Sequence, residues 1–277
     1  MLLMMIPLLV ARPMLAMEAT STDAQTYFER GRADLGGNKL DEAIANFTKA
    51  LEVNPRYADA YNGRATAYMA MGRYDEAISN YSKVVDLEPS DADAYSNRGL
   101  AYANQGRLDQ AMSDFNKTLA LNPKQFVAYA NRGMVYGARG QYSQAISDYT
   151  KALELNPSFT LAYNNRGLTY ADMGEYDKAI ADFNKALELN PRFPFAYNNR
   201  GVAYASKGQY EQAVSDHTKA LEIEPRYARA YVNRASAYYR LKQYDKAWDD
   251  VHKAQSLGQG IREEFLNDLR RASGREK

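Results

Sequence analysis

Small and aromatic residues recur along this chain at helical spacing, and the pattern itself repeats. From Ala162 to Pro191, Tyr163, Gly167 and Tyr170 stand at i, i+4 and i+7, so they share one helix face. Ala179, Phe183, Ala186 and Leu187 do the same on a second helix. Between them Gly174 can take the left-handed conformation that closes a helix. Pro191 ends the second helix, because proline cannot continue one and biases its predecessor away from helical geometry. The spacing predicts helices from about Leu161 to Met173 and from Tyr176 to just before Asn190.

The closing proline returns at Pro55, Pro89, Pro123, Pro157, Pro191 and Pro225, always 34 residues on. A fixed period of this length marks a helical repeat array, in which each unit needs its neighbours to bury its apolar face. Seven units follow: 24–57, 58–91, 92–125, 126–159, 160–193, 194–227 and 228–261. The predicted fold class is all-α, a right-handed α-solenoid or superhelix of seven helix-turn-helix repeats. Residues 262–277 add a capping helix, on which Ile261, Phe265, Leu266 and Leu269 form one stripe, and a frayed tail from Ser273. Gly72, Gly106, Gly140 and Gly208 repeat the role of Gly174, with Asn38 standing in for them in the first unit. Thr22 to Gln25 reads as a capping box at the start of the array.

The series Tyr163, Gly167, Tyr170, Ala179, Phe183, Ala186 and Pro191 resembles the tetratricopeptide repeat, and the resemblance covers Ala24 to about Ile261. Arg166 departs from it, standing where that family usually carries a leucine. Of the 23 tyrosines, seven occupy the Tyr163 position, six the Tyr170 position and five the Tyr176 position. Nearly all of them are therefore framework rather than a binding surface.

Charge changes the picture by exclusion. With 35 basic and 34 acidic residues well mixed, the net charge of +1 offers no basic stripe for phosphates, which argues against nucleic acid as a partner. The absence of cysteine excludes disulfides, zinc thiolates and thiol catalysis. Residues 1–19 stand apart. The apolar run Leu2 to Val10 is too short to span a bilayer and suits the core of a secretory signal peptide, cleaved after Ala16 or Ala19. No Lys or Arg precedes it and Pro7 interrupts it, so a disordered leader is the alternative. The first reading makes the protein secreted or periplasmic, the second cytoplasmic.

No constellation of catalytic residues emerges. The sequence has no phosphate-cradling glycine loop and no His-Glu-x-x-His pair. His217 takes the place held by Phe115 and Phe183 in other units and reads as a packed aromatic substitute, while His252 falls on a helix surface. The expectation is a non-catalytic protein that needs no cofactor or metal.

Two polar rows remain. Arg30, Arg64, Arg98, Arg132, Arg166, Arg200 and Arg234 precede the glycine position in each unit. Asp114, Asp148, Asp182, Asp216 and Asp250 follow the last five of them by sixteen residues, with Asn46 and Asn80 in the first two units. Antiparallel helices would join each Arg and Asp as a bidentate pair. The second row is Asn97, Asn131, Asn165, Asn199 and Asn233, with Glu29 and Gly63 in the first two units. It resembles the asparagine ladder in the repeat region of O-linked N-acetylglucosamine transferases, which implies a place on the concave face. One amide offers an acceptor and two donors, which suits an extended peptide backbone; alternatively, the row serves the contact between helices. Around it the expected lining is Val127, Met134, Leu161, Leu168, Phe195 and Val202, interleaved with Asn164 and Asn198. The positions that carry a lysine-based carboxylate clamp in chaperone adaptors of this family hold no lysine here, Phe28, Asn62, Ser96 and Ala130 among them.

The leading expectation is a monomeric scaffold that binds an extended peptide segment of a partner protein in its groove. A second is an assembly protein acting through its edges or convex face, with Arg229, Tyr239, Arg240 and Trp248 exposed near its end. A third, the repeat region of a glycosyltransferase-like enzyme, ranks last, because the residues after the capping helix leave no room for a catalytic domain.

Overall fold

The computed structural model describes residues 13–275, with side chains from residue 23. The apolar run of the expected leader lies outside the described residues, as do residues 276 and 277. Fifteen α-helices and no strand form the described part. The fifth repeat shows the unit: α9 (Thr160–Asp172) and α10 (Tyr176–Leu189), joined by a turn in which Gly174 has φ +77°. Both helices fall within a residue of the spans expected from the sequence. Asn38 (φ +57°) closes the first unit as anticipated, whereas the seventh uses Lys242 (φ +59°), a bulkier side chain at a position that favours glycine.

Two compact units divide between Asn131 and Arg132, inside α7 (Phe126–Ala138). The first contains α1 (Pro13–Gly36), α2 (Leu40–Val53), α3 (Ala58–Ala70), α4 (Tyr74–Leu87), α5 (Ala92–Asn104) and α6 (Leu108–Leu121), each packed on the next. The second contains α8 (Tyr142–Leu155), α9, α10, α11 (Pro194–Ser206), α12 (Tyr210–Ile223), α13 (Ala228–Arg240), α14 (Tyr244–Ser256) and α15 (Glu263–Ser273). Here too neighbours in sequence pack together, and the first helices α9, α11 and α13 touch in turn. Because α1 already begins at Pro13, Thr22 lies within it and no capping box forms there.

Packing follows the small–large alternation. Phe47, Phe115 and Phe183 are fully buried, each on the second helix of its repeat, and each such ring contributes about 1.5–3 kcal/mol by leaving water. Glycine on the facing helix makes room. A β-carbon at Gly167 would stand 2.8 Å from Phe183 Cε1 and 3.2 Å from the Ala179 carbonyl oxygen. Gly167→Ala is therefore expected to lower stability by about 1–3 kcal/mol through overpacking. At Gly137, also helical, a β-carbon meets nothing within 4 Å. There the same substitution should raise stability by about 0.4–1 kcal/mol through the unfolded chain's lost freedom. Urea denaturation of both variants tests the opposite signs.

At the C-terminal end α15 covers the last repeat, with Leu266 and Leu269 buried against Trp248 and Val251. One detail differs from expectation. Trp248 is buried, its indole N–H donating to Ser273 Oγ (3.1 Å) and its ring stacked on His252, so it offers no exposed surface. Gly274 takes a left-handed C-cap, and Arg275 pairs with Asp245 at 2.8 Å.

Candidate functional site

Two layers of polar side chains run through the repeats, and their different burial separates framework from surface. The deeper layer is the arginine row. Arg166 donates from Nε and Nη2 to the two carboxylate oxygens of Asp182, each at 2.8 Å, with the carboxylate 9% exposed and the guanidinium 18%. Equivalent bidentate pairs join Arg98 to Asp114, Arg132 to Asp148, Arg200 to Asp216 and Arg234 to Asp250. The hydrogen-bonded carboxylates raise the pKa of Arg98, Arg166 and Arg200 above its ordinary value. In the second repeat Arg64 takes Asn80 Oδ1 instead, at 2.9 Å. The first breaks the pattern, since Asn46 donates to Asp34 (2.8 Å), which stands where other repeats carry tyrosine.

A further bond of these arginines was not foreseen. The remaining Nη1 reaches back to the preceding repeat, from Arg64 to Thr48, Arg98 to Ser82, Arg166 to Thr150, Arg200 to Asn184 and Arg234 to Thr218. Each guanidinium therefore ties three helices. The signal was available as a row of Thr, Ser or Asn sixteen residues before every arginine from Arg64 to Arg234.

The shallower layer is the asparagine row. Asn97, Asn131, Asn165, Asn199 and Asn233 are all half-buried on the first helices. In the second unit they are tied sideways: Asn199 Nδ2 donates to Asn164 Oδ1 (3.0 Å), Asn164 to Asn165 (3.1 Å) and Asn233 to Asn198 (2.9 Å). Asn164 and Asn198 are themselves buried, so they lie beneath the surface and orient the ladder rather than lining a groove. For Asn199 and Asn233 the amide oxygen keeps no protein partner among the described residues. Each of these side chains is thus held at one atom and available at another.

The apolar side chains expected around the row are each exposed: Val127, Met134, Leu161, Leu168, Phe195 and Val202. On α9, Leu161, Asn165 and Leu168 fall at i, i+4 and i+7, and on α11 Phe195, Asn199 and Val202 do likewise. One face of each helix therefore presents an amide between two solvent-exposed apolar side chains. Phe195 is braced edge-on against Tyr227 at 5.2 Å between ring centroids. His217 lies in the core beneath, fully buried, with neither ring nitrogen hydrogen-bonded. Among the described residues no cluster of His, Cys, Asp or Glu could hold a metal ion, and no helix is long and apolar enough to cross a membrane.

Comparison with known proteins identifies the repeat. Models described as "TPR repeat" match residues 24–72 and 65–106, and models described as "Tetratricopeptide repeat" match 92–125, 126–159, 160–193, 194–227 and 218–249. The chain is similar in fold to a tetratricopeptide repeat protein from Parabacteroides merdae ATCC 43184. That match has 23% identity and a TM-score of 0.71, covering 91% of this chain and 99% of that one. It is similar to MamA at 32% identity and TM-score 0.52, over 60% of this chain and 96% of that one. Similarity to YrrB, described as a TPR protein with an unusual peptide-binding site, has 30% identity and TM-score 0.51, over 66% of this chain and 95% of that one. No curated protein matches the sequence.

Proposed function

This chain belongs to the tetratricopeptide repeat family, whose fold serves as a protein-interaction scaffold, and we propose that it works without catalysis by holding an extended peptide segment of a partner protein against the exposed face of its first helices. The observation that carries this reading is the triplet of apolar, amide and apolar side chains on α9 and again on α11. An extended backbone alternates N–H and C=O groups at its edge, and an amide side chain can answer either one. Leu161, Leu168, Phe195 and Val202 can meanwhile cover the peptide's apolar side chains, at roughly 25 cal/mol for each Å² removed from water. The peptide-binding site described for YrrB supports the same use of the fold.

Peptides selected by display against the purified protein provide the test. Asn131, Asn165 and Asn199 changed together to alanine should weaken the selected peptides by at least about tenfold, or ~1.4 kcal/mol. Removing Asn199 also leaves Asn164 Oδ1 short of its donor, so a second variant guards against misfolding. Leu161→Ser with Phe195→Ser alters exposed side chains, at the loss of the ring contact between Phe195 and Tyr227, and should weaken the same peptides while lowering stability by about 1–2 kcal/mol or less. Unchanged affinity in both variants would sink the groove reading.

A further inference from the structure

Where the second unit ends, the face of α11 and α13 opens into a cleft of about 400 Å³ closed on one side by α15. Val202, Tyr239 and Phe265 form its apolar part, Asn233 stands among them, and Arg240 and Arg262 stand at its polar edge. None of its lining side chains is acidic. Glu263, beside Arg262, is engaged with Arg270, and the exposed Glu211 and Glu264, next in sequence to Tyr210 and Phe265, do not line the cleft. Arg240 and Arg262 are exposed and form no ion pair among the described residues, in contrast to the arginine row below them. Arg240 is also pre-positioned, its guanidinium lying 5.0 Å from the centroid of the Tyr210 ring. A guanidinium stacked in this way keeps its N–H edge free for a planar anion. Within the apolar part Phe265 packs edge-on against Tyr239 at 5.7 Å.

We propose that this cleft binds an acidic segment of the partner protein, Arg240 and Arg262 taking its carboxylates while Val202, Tyr239 and Phe265 receive an adjoining apolar side chain. The inference rests on the groove reading above and adds to it the chemistry of the partner. Charge complementarity selects the acid. The apolar half of the cleft, with a net charge of only +1 over the chain, selects a peptide over a nucleic acid. Asn233, fixed through its Nδ2 by Asn198, can accept a backbone N–H of the bound segment.

Two fluorescent decapeptides of alternating leucine and serine, acetylated and amidated at their ends, provide the probes. In one of them the last two serines are replaced by aspartate. At low salt the acidic peptide should bind about tenfold tighter than the neutral one, and the preference should shrink as salt screens the charges. R240E combined with R262E changes exposed side chains and should abolish or reverse the preference, read as the ratio of the two peptides' affinities within the same variant. Equal affinity for the two peptides in the unaltered protein would overturn the acidic assignment and leave the groove reading standing. An acidic preference that survives N165A with N199A but not R240E with R262E would support the cleft and count against the ladder. Binding of neither peptide, or equally tight binding of decathymidylate, would overturn the proposal.

Discussion

Asp182→Ala is expected to lower the free energy of unfolding by about 3–5 kcal/mol, because it strands the guanidinium of Arg166 between helices. The size follows from burial and from the count of bonds lost. The carboxylate is nearly enclosed and accepts two charge-assisted bonds, while the third bond of Arg166, to Thr150, holds the guanidinium where it is. Asp182→Asn should cost less, since Arg64 with Asn80 shows one repeat already managing with an amide. Replacing both partners, Arg166→Met with Asp182→Leu, should recover much of the loss, because no unpaired charge remains. Chemical denaturation with hydrogen exchange read in α9 and α10 would test all three, and a loss below about 1 kcal/mol for Asp182→Ala would refute the argument. Exchange is needed because a repeat array can open locally at the weakened unit.

His217→Phe should stabilise the protein, and by more in acid than at neutral pH. Phenylalanine occupies the same position, fully buried, at Phe115 and Phe183. The imidazole leaves two buried nitrogens without partners, a defect of about 1–3 kcal/mol at neutral pH. Burial, aided by the charge of Arg234, pushes its pKa down from 6.5 to about 3. The folded chain thus keeps the ring neutral over a range in which the unfolded chain protonates it. Above pH 6.5 both states hold it neutral and nothing is lost. Between 6.5 and about 3 the unfolded state binds more protons, and stability falls by up to about 1.4 kcal/mol per pH unit. The difference between His217→Phe and the parent should therefore widen as pH falls through this window. Parallel pH profiles of the two proteins would refute the assignment.

Helix boundaries, the turn glycines, the buried aromatic of most repeats and the five Arg–Asp pairs were legible from residue order. All of them depend on geometry that recurs every repeat. A helix fixes which residues share a face, and two antiparallel helices with a short turn fix which residue sixteen positions on is opposite. The exposed apolar set from Val127 to Val202 was legible for the same reason. Asn164 and Asn165 were not separable in this way. They are adjacent, point about 100° apart on the helix, and differ only in what the next repeat lays over them.

Contacts beyond one repeat account for the rest. The Nη1 bonds of Arg64, Arg98, Arg166, Arg200 and Arg234 cross to the preceding unit, and the burial of Trp248 depends on where α15 comes to lie. The same helix turns Arg262 and Phe265 into parts of one cleft with Arg240 and Asn233. Residue order alone established the repeating unit, its two helices and their internal pairing, because short-range helix geometry leaves few alternatives once the period is known. Which polar groups are sealed inside and which stay open to a partner was decided by how successive units and the last helix stack, since solvent exposure belongs to the packed surface and not to any one segment.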